Sequence, residues 1–285
     1  MSRRLASCLL ALLTGCAKQA ARTPQNPQPA AHASTSSLRY VGSSTIALGA
    51  MPELVAAFSA SAGIEFSEVK SSNSLEGFKA AMAGETPIAG MSRGLSPAEQ
   101  AGNPFVQIIG YDAIGIFVNA RNPISSLTKA QVKALFSGAA TDWKAVGASR
   151  GPVELVTERK DGHRPTIQFF QDSVLAGGPF GKTREIELPL DDVRYVVEHA
   201  EAITFASSVF WQRGSKLVGI DGVSPSEWSI RAGEYPLVRP LLLVSKTPPQ
   251  GDAKAFFDFV LSPAGQAIVG RRFVPRTRVQ GISQR

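Results

Sequence analysis

The sequence predicts an α/β fold whose strand ends open on one crevice, and three observations carry that prediction. Hydrophobic residues make up 44% and charged ones 19% of the 285 residues, a globular composition with a sizeable core. Short apolar runs end repeatedly in turns rich in Ser, Thr and Gly that lead into helix starts, as strand–turn–helix units of an open sheet do. The stretch Thr157-Glu158-Arg159-Lys160-Asp161-Gly162-His163-Arg164-Pro165-Thr166 repeats that arrangement with charge added.

The first 37 residues read as an address. Arg3 and Arg4 precede an apolar run, Leu5 to Leu13, too short to span a bilayer, and Leu13-Thr14-Gly15-Cys16 follows. This sequence resembles the lipobox of bacterial lipoproteins, which implies residues 1–16 as a lipoprotein signal peptide and Cys16 as the lipidated residue. Residues 17–37, with Pro24, Pro27 and Pro29 and no apolar period, read as a disordered tether. Removal of Cys8 with the signal would leave no disulfide. Three His and no Cys cluster predict no metal site, and no cofactor is expected.

From Leu38 the elements follow in order. Leu38 to Val41 is a strand, and Gly42-Ser43-Ser44-Thr45 turns into an amphipathic helix over Leu48 to Ala60. Ser44 and Thr45 stand beside unpaired helix N–H groups, an arrangement suited to an oxyanion or to simple capping. Glu65 to Val69 is the second strand, and Ser71-Ser72-Asn73-Ser74 leads into a helix over Leu75 to Met82, with Gly77 where a side chain would obstruct a ligand or a facing lobe. Pro87 to Gly90 is a short strand before the loop Met91-Ser92-Arg93-Gly94. Val106 to Ile109 and Ile114 to Val118 read as two strands. Val153 to Val156 is a buried strand, and Ile167 to Leu175 carries helical periodicity. Between them Gly162 permits a sharp turn and Pro165 suits a first helical position, so Arg159, Asp161, Gly162, His163 and Arg164 crowd an anion-favouring helix start; a solvated charged turn is the plainer alternative. Ile186 to Asp191, Val193 to Ala200, Ile203 to Ser207 and Leu237 to Val244 complete the pattern as strand and turn, helix, strand and strand. Trp143, Trp211 and Trp228 read as core or hinge residues.

A net charge of +7 and a pI near 9.6 suit an anionic partner, but Lys and Arg are dispersed and no basic run alternates with aromatics, which argues against nucleic acid. Ser43 or Ser74 with His163 and Asp161 would imitate a hydrolase triad. Asp161 and His163 are two residues apart on one loop and no G-x-S-x-G elbow exists, so no enzyme is expected.

The segment Ser126-Leu127-Thr128, Gln131, Phe136-Ser137-Gly138, Trp143 and Val146-Gly147, with Tyr235 to Leu241 and Phe259 to Gln266, resembles the phosphate-binding proteins that serve bacterial phosphate ABC importers. The resemblance runs from about Leu38 to Val274 and implies a type II periplasmic binding protein of two lobes, each a mixed sheet flanked by helices. It implies lobe one at residues 38–118 and 241–285, lobe two at 119–240, and a monomer in the periplasm or at the cell surface, held to the membrane by lipid. An ABC permease would be its partner and phosphate its favoured ligand. Thr45, Ser74, Arg159 and Asp161 fall on the family's binding positions, with Ser92 in the neighbouring loop. The family's Gly-Ser-Gly-Thr is replaced here by Gly162-His163-Arg164-Pro165, and no carboxylate stands in Gly90-Met91-Ser92-Arg93 to accept a phosphate proton. Arg93, Arg159 and Arg164 are the candidates to offset those losses, with Thr166 as a substitute hydroxyl. The alternative is a two-lobed module that has lost phosphate binding and acts as a sensor or protein-interaction component.

Overall fold

The computed structural model describes residues 38–148, 151–160 and 164–276. Cys16, residues 17–37, Asp161, Gly162 and His163 therefore lie outside the described residues. Among the described residues no helix is long and apolar enough to cross a membrane.

Strand β1 (Leu38–Ser43) runs into α1 (Ser44–Gly49) and α2 (Met51–Ala62), and β2 (Phe66–Ser72) runs into α3 (Ser74–Ala83). β3 (Ile88–Met91) and α4 (Pro97–Ala101) follow, then β4 (Phe105–Asn119), β5 (Ser126–Leu127) and α5 (Lys129–Phe136). The second half holds β6 (Glu154–Glu158), α6 (Pro165–Ser173), β7 (Thr183–Ile186), α7 (Pro189–Glu198), β8 (Ala202–Ser207), β9 (Ser215–Ile220) and α8 (Glu227–Arg231). β10 (Val238–Ser245), α9 (Gly251–Leu261), α10 (Pro263–Val269) and β11 (Val274–Pro275) close the described chain.

The pairing order β2-β1-β3-β10-β4-β8-β6-β7 is mixed. β1 pairs in parallel with β2 and β3, and β6 in parallel with β7 and β8, as the strand–turn–helix pattern predicts. β4 and β10 run antiparallel to their neighbours and to each other. β4 serves both halves: Phe105 to Ala113 pairs with β10, and Ile114 to Asn119 pairs with β8 and β9. One apolar core gathers Leu54, Phe58, Leu241, Phe256 and Val260 against the first sheet, and another gathers Leu135, Phe136, Phe170 and Phe205 against the second.

Two expectations are corrected. The two strands expected at Val106 to Ile109 and Ile114 to Val118 are one, because their glycines mark close approach and not a break. A Cβ on Gly110 would stand 2.7 Å from the Val274 carbonyl oxygen, and one on Gly115 would stand 2.2 Å from Leu217 Cδ2. Of the three tryptophans expected in the core or hinge, Trp143 is buried with its indole N–H donating to the Glu201 carbonyl at 3.1 Å, but Trp211 and Trp228 are 52% and 68% exposed.

Gly77 has a packing role different from the one its position suggests. A Cβ there would lie 2.7 Å from both Gly42 Cα and the Val41 carbonyl oxygen, so the missing side chain lets α3 rest on β1. Gly77→Ala is expected to force those backbones apart at about 1–3 kcal/mol, lowering Tm by several degrees in a thermal melt. An unchanged Tm would show that the helix can slide.

Candidate functional site

A buried ion pair lies where the two halves meet. Asp112 on β4 and Arg239 on β10 are cross-strand partners in the antiparallel register, and each is only 1% exposed. The guanidinium Nε donates to Asp112 Oδ2 at 3.0 Å, and Nη2 lies 2.9 Å from the same oxygen in an ion pair. Its remaining donors reach outward in two directions: Nη1 to the Thr166 hydroxyl at 3.0 Å and Nη2 to the Thr45 hydroxyl at 3.1 Å. Ser207 on β8 donates to the other carboxylate oxygen, Asp112 Oδ1, at 2.6 Å. Burial raises the Asp112 carboxyl above its ordinary range, while Arg239, Ser207 and the Ala113 N–H pull it down. An arginine does not lose its proton, so the carboxylate keeps a fixed counter-charge.

Thr45 arrives at this point because β1 ends at Ser43 and α1 starts at once. Thr166 arrives because β6 ends at Glu158 and α6 begins at Pro165, whose missing N–H costs nothing at a first helical position. The fork of one arginine thus spans hydroxyls at the amino ends of helices that follow β1 and β6, strands of different sheets.

Glu158, at the carboxyl end of β6, is buried beside this fork. Arg164 Nη1 stands 3.8 Å from its Oε2. Burial lifts its carboxyl; Arg164, Arg239 and hydrogen bonding from Thr166 oppose that, and Glu187 adds to it. Asp192 on α7 is 0% exposed, and neither of its carboxylate oxygens has a hydrogen-bond partner. Burial above all, then the Glu158 and Asp191 carboxylates, push it up to about 9 against the pull of Arg164.

The expected site residues are only partly brought together. Thr45 joins the arginine fork. Ser74 and Ser92 are both buried, and the Ser92 N–H donates to Ser74 Oγ at 3.1 Å. Ser44 is half-buried at the start of α1. Arg159 is an exposed residue whose Nη1 lies 3.5 Å from Glu187 Oε2. Arg164 donates to the Glu187 carboxylate at 2.6 Å and to its carbonyl at 3.1 Å. Arg93 is held by both Glu99 oxygens at 2.7 Å, with an added bond to the Gly94 carbonyl. The arginine aimed between the threonines is therefore Arg239, not one of the three expected to offset the altered loop. Reading the sequence passed over Arg239, Asp112, Glu158 and Asp192. For the first two a signal existed, since a lone charge within an apolar strand implies a buried partner.

The model of a family described as a PBP superfamily domain matches residues 28–264. The chain belongs to this family. Among curated relatives, the phosphate-binding protein PstS of Staphylococcus epidermidis is 27% identical over 209 residues, 67% of this chain and 64% of that protein. The protein SphX of Synechococcus elongatus is 25% identical over 223 residues, 70% and 66% of the two chains. This PBP chain thus spans just under two thirds of the first curated relatives it matches. The crystal structure of a putative phosphate ABC transporter substrate-binding protein with bound phosphate from Clostridium perfringens is similar at TM-score 0.78 and 25% identity, over 85% of this chain and all of that one. An ABC-type phosphate transport receptor from Vibrio cholerae is similar at TM-score 0.69 and 20% identity, over 83% and 99%. The fold is therefore the two-lobed α/β fold of periplasmic binding proteins.

The Asp192 carboxyl makes stability depend on pH. In the unfolded chain it ionises near about 3.9, whereas the folded protein holds its proton to about 9. Between those values the folded state binds more protons, so this group's contribution is most favourable below the unfolded value and is lost as pH rises through the window. Asp192→Asn is expected to melt near the wild-type temperature at about pH 4 and increasingly above it toward about pH 9. A Tm difference independent of pH would show that the carboxyl is ionised in the fold.

Proposed function

We propose that the protein is an extracytoplasmic solute-binding protein that encloses a small oxyanion, phosphate favoured, between its two lobes and delivers it to an ABC permease. The observation that carries this reading is the buried Arg239 fork reaching Thr45 on one side and Thr166 on the other. An oxyanion seated there meets a fixed guanidinium, two hydroxyls and the amino end of α6, a donor set matched to phosphate geometry. The lobe-one pair Ser74 and Ser92 extends that set at the amino end of α3. The similarity to phosphate-binding and phosphate-transport proteins supports the same ligand. Nothing in this arrangement requires turnover. Asp112 orients the arginine, and Ser74 Oγ accepts a backbone N–H, so neither is poised as base or nucleophile.

Calorimetric titration of the protein with phosphate, and separately with sulfate, tests this. Saturable phosphate binding is expected, weakened roughly tenfold or more by Arg239→Lys, which keeps the charge and loses the planar fork. Arg159→Ala, at an exposed ion pair, should change affinity far less. No heat with phosphate would turn the assignment to a two-lobed module serving a different ligand or a protein partner.

The same reading places the protein on a membrane through lipid on Cys16, with residues 17–37 as the tether, in the periplasm or at the cell surface. The Leu13-Thr14-Gly15-Cys16 sequence supports it. Cys16→Ser is expected to move the protein from the membrane fraction to the soluble one on bacterial fractionation. Retention on the membrane by the variant would remove the anchor.

A further inference from the structure

One helix turn separates the Thr45 hydroxyl from a second contact between the two halves of the structure. Thr45 and Gly49 are four residues apart in α1, so they lie on one face of that helix, about 6 Å from each other. At Thr45 this face meets the Arg239 fork. At Gly49 it meets Val209 and Phe273: a Cβ on the glycine would stand 3.2 Å from Val209 Cγ2 and 2.5 Å from Phe273 Cζ. Val209 comes from the short helical turn Ser208–Phe210 that follows β8, and its half-buried side chain packs on both sides of the junction. On one side it joins the first-sheet core that holds Phe273, and on the other the cluster of Phe117, Val193, Ala206 and Phe210.

The turn that carries Val209 is tied to the buried ion pair as well. Ser207 Oγ donates to Asp112 Oδ1 at 2.6 Å and accepts the Val209 N–H at 3.3 Å. Phe273 directly precedes β11, whose Val274 pairs with Tyr111, the residue before Asp112. A closed circuit results. It runs from Asp112 to Ser207 and the Val209 turn, across the apolar contact to Gly49, along α1 to Thr45, and through Arg239 back to Asp112. Every link but one is a hydrogen bond or a run of chain. The exception, Val209 on Gly49, is a packing contact that the missing side chain at position 49 makes possible, and such contacts weaken steeply within an ångström.

Thr45 needs support of this kind. Helix α1 is six residues long and its Ser43 cap makes no side-chain hydrogen bond, and a helix so short has no stability of its own in water. Its place must come from what it packs on. We propose that Val209 is a positioning residue of the oxyanion site: seated on Gly49 and Phe273, it fixes α1 so that the Thr45 hydroxyl stays in line with the Arg239 fork, and it raises ligand affinity through that hydroxyl. This inference rests on the oxyanion-binding reading above and names a side chain that acts on the site from the far end of α1.

The test is calorimetric titration of the full-length protein with inorganic phosphate, in the wild type, Val209→Ala, Thr45→Val and the double variant. Val209→Ala is expected to bind phosphate about five- to tenfold more weakly, and Val209→Ile, which keeps the branched side chain, to bind within about twofold of the wild type. Thr45→Val, which retains Arg239 and Thr166, is expected to lose about tenfold, and Val209→Ala to cost nothing further in that background, because the hydroxyl it positions is gone. A merely structural role would lower Tm in Val209→Ala without producing this coupling. Affinity unchanged by Val209→Ala would overturn the inference and leave the oxyanion reading standing. So would a loss that persists at full size beside Thr45→Val, or one that Val209→Ile does not restore. No phosphate binding by the wild type would remove the inference together with the reading beneath it. Should Val209→Ala fail to fold, Gly49→Ala reads the same contact from the other side, since its Cβ must displace Phe273 and Val209. The same loss is expected there, absent beside Thr45→Val, and wild-type affinity in Gly49→Ala would sink the idea.

Discussion

The pairing of Asp112 with Arg239 is the constraint on which the junction of the two halves depends. Taking two full charges out of water costs several kcal/mol each, and an ion pair offsets this only when nearly every donor and acceptor is used. Here they are used: two guanidinium contacts to one carboxylate oxygen, a serine on the other oxygen, and threonines on the two outer nitrogens. Because the pair sits at one register position of β4 and β10, a slip by a residue would turn either charge to the opposite face of its strand and strand both. Strand register, the position of the threonines and the aim of the fork are therefore one requirement, met together or lost together.

The general architecture was legible in the sequence for a physical reason. Period-two and helical hydrophobic patterns, with Ser, Thr and Gly at the turns, are local properties, and β1 to α3 and β6 to α6 reproduce them closely. The lobe-two side of the site was less legible. Arg159 and Arg164 were natural candidates because they adjoin a helix start, yet each is spent on Glu187, a partner across β7 that no local pattern reveals. Arg239 lies 73 residues from Thr166 and 194 from Thr45, so its role exists only after both sheets have formed. Gly77 makes the same point from the packing side. Its neighbours are backbone atoms of β1, and a helix that must touch a strand looks in sequence like a helix that must leave room for a ligand.

The altered loop can be understood through where the positive charge comes from. In the resembled family the loop before this helix ends in Gly-Ser-Gly-Thr, whereas here Arg164 precedes Pro165 and the first hydroxyl of the helix belongs to Thr166. That hydroxyl is met by a guanidinium supplied from β10, and Arg164 is left to neutralise Glu158 and Glu187. A loop arginine can swing with its loop. An arginine clamped by a carboxylate in a central strand cannot, so the proposed site would trade adaptability for a fixed donor geometry, which favours one ligand shape over many.

Location on β4 and β10 has a mechanical consequence as well. On the proposed two-lobe reading, a rotation of one sheet against the other would be taken up where β4 changes partners, between Ala113 and Ile114, next to Asp112. Arg239 would then stay near the axis of such a motion while Thr45 and Thr166 were carried on opposite sides of it. A ligand at the proposed site would keep its ionic contact in every arrangement of the lobes, but would gain both hydroxyls only when they converge. On that reading the affinity difference between open and closed states would reside in the threonines, not in the arginine, because a contact equal in both states shifts no population. On the proposed reading the buried ion pair would set how strongly an oxyanion is attracted, and the two hydroxyls would set whether its arrival closes the protein.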